Sequence, residues 1–177
     1  MPYVDLNTIH NPATGTVAPA TWGDQIRDNF EFLIDPPACS ISQAASQTVA
    51  SSTTVVMGTT ALENYDNDAM HSDSTNRSRI TVSTAGRYLA IATVFTDAFL
   101  GGNNAFYRFL FRKNGSTSIG GFRMKNTPLN ATEAVRIAAS RTLIMAATDY
   151  IEVTFDHTLG GSIEVTLDEL QMTFLTR

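Results

Sequence analysis

The period of the apolar positions changes once along the chain, near residue 38. Upstream of that point Trp22, Ile26, Phe30 and Leu33 recur at i, i+4, i+8 and i+11, one stripe of a helix over residues 21–34. Thr21, with Asp24 three residues later, suits a helix start. Asp35-Pro36-Pro37 stops the helix, because a residue before proline avoids the α region. Residues 1–20 keep no period and carry Asn11-Pro12, Thr14-Gly15 and Pro19, the signals of an irregular arm. The expected organisation is an arm and amphipathic helix over residues 1–37, then a β-rich head over residues 38–177.

From Cys39 onward the runs are short and β-like. Ile80 and Val82 alternate with Arg79 and Thr81. Residues 88–95 are apolar on nearly both faces, as in a strand covered on each side. In residues 106–113, Tyr107, Phe109 and Phe111 alternate with Arg108, Leu110 and Arg112. Asn114-Gly115 follows, a strong hairpin signal between apolar strands. Val135 and Ile137 mark a further run. Ile151, Val153 and Phe155 alternate with Glu152, Thr154 and Asp156, and Gly160-Gly161 makes a turn. Ile163, Val165 and Leu167 are followed by Leu170, Met172 and Phe174, and the parity switch at Asp168-Glu169 predicts a bulge. The Ser/Thr/Ala-rich residues 44–54 suit a polar loop or edge strand. Many short strands without long intervening helices predict an all-β fold, a β-sandwich or jelly roll.

Composition narrows the function classes. The chain has 177 residues, of which 43% are hydrophobic and 16% charged, enough for one core without disulfides or metals. One cysteine, Cys39, cannot form an internal bridge. The net charge of −5 argues against general binding to nucleic acid or an anionic membrane. No apolar run is long enough to span a bilayer. The first residues show neither a basic region nor an apolar one, so no secretory signal is expected.

The chemistry-bearing motifs are few. No nucleophile elbow, metalloprotease helix, phosphate loop or dinucleotide fingerprint is present. His71 lies near Asp66, Asp68, Ser72 and Asp73, which is the composition of a triad without its geometry. Asn64, Asp66 and Asp68 open like a calcium loop, but Ala69 stands where that loop needs glycine and Thr75 where it needs glutamate. Asn76, Asn114 and Asn130 match the glycosylation pattern and read as turn asparagines. No catalytic residue, cofactor or metal is expected. Loops over residues 99–105 and 125–130 are expected at the surface.

The β portion resembles the complement-type globular head, a jelly roll of the tumour-necrosis-factor-like superfamily. The resemblance rests on Asn64-Tyr65-Asp66 with Met70-His71, on Gly86-Arg87-Tyr88-Leu89, and on Leu110-Phe111-Arg112-Lys113-Asn114-Gly115. Weaker matches are Thr148-Asp149-Tyr150-Ile151, where Thr148 replaces a glycine, and Phe174-Leu175. Gly86 before its strand suits a turn with φ > 0, and the Tyr88 hydroxyl needs a partner near the sheet end. Such jelly rolls commonly pack three-fold, which implies a homotrimer. Residues 106–111 are apolar on both faces, and Tyr107, Phe109 and Phe111 are the expected trimer interface.

Residues 10–15 and 20–30, including Trp22-Gly23-Asp24-Gln25-Ile26-Arg27, resemble the leader of tailed-phage virion proteins, mostly from phages of actinobacteria. This implies a non-enzymatic virion component, a capsid decoration or a tail-fibre tip. Trp22, Ile26, Phe30 and Leu33 would anchor it to other virion proteins, and a host-surface glycan is a further expected partner. The alternatives are a free carbohydrate- or protein-binding head and, more weakly, a polysaccharide hydrolase with paired carboxylates.

Overall fold

A computed structural model describes residues 20–96, 105–125 and 134–176. Helix α1 (Ala20–Ile34) leads into strands β1 (Ala38–Gln43), β2 (Gln47–Val49), β3 (Val55–Val56), β4 (Ala61–Asp66), β5 (Arg79–Thr81) and β6 (Gly86–Thr96). Then follow β7 (Phe106–Lys113), β8 (Thr117–Lys125), β9 (Val135–Met145), β10 (Tyr150–His157) and β11 (Ile163–Thr176). The first sheet runs β4-β1-β11-β6-β9, with β2 also on β11. The second runs β3-β10-β7-β8, with β5 also on β10. The pairings are antiparallel.

The helix already includes Ala20 and Thr21, so Thr21 is not its cap. Its end is where Asp35-Pro36-Pro37 predicts, with Asp35 N–H on the Glu31 carbonyl at 2.8 Å. The expected edge strand in residues 44–54 is β2, which pairs with β11. The bulge at Asp168 is present as a register shift between Leu167 and Glu169. It returns Leu170, Met172 and Phe174 to the buried side already used by Leu167.

Alternation then decides the core. From the first sheet Ile41, Tyr88, Ala90, Ala92, Val94, Leu167, Leu170 and Met172 point inward. From the second Tyr107, Phe109, Phe111, Ile151, Val153 and Phe155 meet them. Each fully buried large side chain contributes roughly 1.5–3 kcal/mol. Tyr88 satisfies its hydroxyl on the Thr84 carbonyl at 2.7 Å, and its ring packs edge-on against Phe174.

Two turns follow from local chemistry. Asn114 (φ 52°) and Gly115 (φ 71°) both take the left-handed conformation that the β7–β8 hairpin needs. Thr148 also sits at φ 73°, holding the conformation that the absent glycine would have supplied. Gly86 departs from expectation. It has no positive φ; a Cβ there would stand 2.3 Å from the Phe174 ring, so close packing is what selects glycine.

Candidate interaction surfaces

The expected anchoring stripe divides on the helix. Asn29 and Phe32 are buried, and the Phe32 ring packs edge-on against Phe174 at 5.0 Å. Trp22 and Ile26 are half-buried. Phe30, Leu33 and Ile34 are exposed by 59%, 72% and 81%. The helix is therefore rolled onto one edge of its stripe, because Phe32 finds the aromatic corner made by Tyr88 and Phe174. The far edge remains an apolar strip facing out.

Tyr107, Phe109 and Phe111 are corrected by the structure. All three are fully buried in the sandwich, so the trimer interface expected there is absent from that side of β7. Phe109 packs on Phe111 and Phe122, and Tyr107 lies beside Phe155 and His157. Burial raises the Tyr107 hydroxyl to about 12. The outward side of β7 carries Phe106, Arg108, Leu110 and Arg112.

The first sheet turns a different surface outward. The residues of β6 not used by the core are Leu89, Ile91, Thr93 and Phe95. They are half-buried rather than covered on both sides as their composition predicts. Leu89, Ile91 and Phe95 make a narrow apolar band along β6, bordered by Gln171 and Thr173 of β11 and by Ser140 and Thr142 of β9. The same sheet also leaves Leu62 and Tyr65 on β4, Ile144 on β9 and Leu175 on β11 exposed.

On the second sheet, β10 breaks the expected alternation: Glu152, Thr154 and Asp156 are buried along with Ile151, Val153 and Phe155. Arginines cover them. Arg108 forks onto Asp156 at 2.8 and 3.1 Å. Arg79 and Arg112 approach Glu152 at 3.6 and 3.9 Å. Arg79 also lies over the Tyr150 ring at 4.1 Å. The sequence places each Arg opposite its acid, since Glu152 pairs with Arg112 and Asp156 with Arg108 in register.

The loop after β4 uses its acids structurally. Asp66 accepts from the Asp68 and His71 amides, Asp73 accepts from the Glu63 amide, and Asp68 accepts from the Ser83 hydroxyl. His71 Nε2 lies 3.0 Å from the Arg77 carbonyl, so that nitrogen donates, while Nδ1 faces Asp73 at 3.6 Å. Among the described residues no serine hydroxyl stands in hydrogen-bond reach of His71. Among the described residues no three His, Cys, Asp or Glu side chains converge to hold a metal. Cys39 is buried. Desolvation, helped by the Asp66 and Glu63 charges, pushes its thiol far up and keeps it protonated. Asn76 and Asn114 occupy left-handed turn positions. Asn130, the arm over residues 1–19 and most of the two expected surface loops lie outside the described residues.

No protein-family model matches this chain, and no curated protein matches it. Solved structures do. The globular domain of zebrafish complement 1qA protein aligns with a TM-score of 0.53 at 10% identity, covering 80% of this chain and 98% of its own. Eiger TNF from S. frugiperda gives 0.55 at 8% identity, covering 78% and 92%. Murine APRIL gives 0.54 at 11% identity, covering 78% and 98%. At such identities the likeness concerns the fold: a two-sheet jelly roll of the tumour-necrosis-factor and complement-head type, preceded by one short helix.

Proposed function

We propose that this chain is a non-enzymatic structural head of a tailed-phage virion, a capsid decoration or tail-fibre tip. It assembles as a homotrimer and is held to the particle by its N-terminal segment, with the cell surface of the host as its outward partner. The observation that carries this reading is the division of apolar exposure. The large hydrophobic side chains left exposed among the described residues are Phe30, Leu33, Ile34, Leu62, Tyr65, Ile144 and Leu175. All lie either on the outer edge of α1 or on the first sheet. Two such patches on one small domain call for two partners.

The first-sheet band suits a second and third copy of the chain, because cyclic packing buries it and closes without a free edge. The outer edge of α1 suits a virion protein: Phe30 ends the residues that resemble a virion leader, and Leu33 and Ile34 directly follow them. Localisation in the virion rests on that resemblance.

Two variants of the full chain separate the roles. Ile91→Asp places a charge in the band, and sedimentation is expected to give a monomer that still incorporates poorly or not at all. Leu33→Asp is expected to leave the trimer intact and abolish incorporation into particles. A wild-type chain that sediments as a monomer at micromolar concentration overturns the trimer. Normal incorporation of Leu33→Asp overturns the anchor.

A further inference from the structure

We infer that the outward face of the second sheet is a binding surface for an anionic polysaccharide. This goes beyond attachment and trimerisation, since the face lies on the opposite side of the sandwich from the apolar band.

The face is built from alternation. With Phe109 and Phe111 inward, Phe106, Arg108, Leu110 and Arg112 of β7 point out. Arg123 and Lys125 of β8 pair with Arg108 and Phe106 and share that side. Arg79 of β5 pairs with Glu152 beyond β10. Among the described residues this side therefore carries five cations, Arg79, Arg108, Arg112, Arg123 and Lys125. They stand against two carboxylates, Glu152 and Asp156, on a chain whose net charge is −5. The carboxylates are 5% and 9% exposed and lie beneath their arginines, whose side chains are 30–39% exposed. An approaching anion meets guanidinium groups first. Arg123 and Lys125 are exposed and meet no carboxylate among the described residues; Arg123 lies over the Phe106 ring at 4.3 Å. Paired residues on neighbouring strands stand about 5 Å apart. Arg108 and Arg112 stand about 13 Å apart along β7, so the cations form a broad, sparse array.

The same observations select among anions. A membrane-bound surface inserts exposed apolar groups; among the described residues this face exposes no large apolar side chain, and Leu110 is half-buried. A protein interface centres on an apolar core, which is again lacking. Single-stranded nucleic acid stacks bases on open rings, but the Phe106 and Tyr150 rings are already covered by Arg123 and Arg79. A sugar polymer bearing carboxylate or sulfate groups needs only spaced cations and donors on a hydrophilic surface.

The test uses the full chain on three immobilised polymers: dextran sulfate, alginate and neutral dextran. The expected result is retention on both acidic polymers and not on dextran, weakening steeply as salt rises from about 50 mM. Arg123→Glu/Lys125→Glu is expected to lose at least about tenfold in affinity, and the neutral pair Arg123→Gln/Lys125→Gln to lose less. Arg87→Glu/Arg136→Glu makes the same charge change on the other sheet and is expected to bind within about twofold of wild type. Three outcomes overturn the inference: no retention on either acidic polymer, equal loss in the two charge-reversal variants, or tighter binding to a single-stranded oligonucleotide than to both polysaccharides.

Discussion

Thr148 shows how a missing glycine leaves a trace. Its backbone keeps φ at 73°, and its amide still reaches the Val82 carbonyl at 2.8 Å. A β-branched residue in that region is strained by about 1–2 kcal/mol. Thr148→Gly is expected to raise stability by about 1 kcal/mol, read as a higher urea midpoint with an unchanged slope. The next residue links the same turn to pH. Partial desolvation pushes the Asp149 carboxyl up. Hydrogen bonds from Asn114, Lys113 and the Ala146 amide, with the Lys113 charge, outweigh that and hold it at about 2. A depressed carboxyl lends stability that is complete above its ordinary value near 4 and drains away as pH falls toward 2. Asn114→Ala is expected to lose on the order of 1 kcal/mol at pH 7 and less at pH 2, measured by denaturant unfolding at both.

At the scale of single elements, alternation made most of the strands legible. The hydrophobic period places β7, β10 and the bulged β11 because each has one plainly apolar side. It could not orient β7, whose Phe106 and Leu110 are as apolar as Tyr107, Phe109 and Phe111. The facing strand holds the answer. β10 puts Glu152 and Asp156 on the side where Arg112 and Arg108 of β7 meet them, and that leaves the aromatic row for the core. Nor could it orient α1, where four apolar residues share a stripe and the deciding ring, Phe32, lies beside it. The docking partner Phe174 is remote in sequence, so no local rule points to it. The cross-strand acids give a direct test. Arg108→Ala leaves Asp156 buried without its fork and is expected to cost about 2–4 kcal/mol in unfolding free energy. Arg108→Ala combined with Asp156→Ala is expected to cost less than the sum of the two single changes.

For the whole molecule, the jelly-roll class was readable from the order of five weak motifs. The chemical difference between its two outer faces was not, because it depends on which residues the pairing brings together. One further feature of that pairing governs the order of events in time. β1 has β11 as its neighbour, with Ala38 opposite Thr173, and Phe32 waits on Phe174. On a ribosome the first strand and the helix are made long before their partners, and pairing of such sequence-distant segments is slow. Removing residues 170–177 is therefore expected to release α1 as well as β1, seen as loss of protection of the helix amides in hydrogen exchange. The helix seats only once β11 has been made, so a chain stopped before Phe174 leaves Phe32 without its ring partner, and synthesis through β11 is itself the condition for a docked α1.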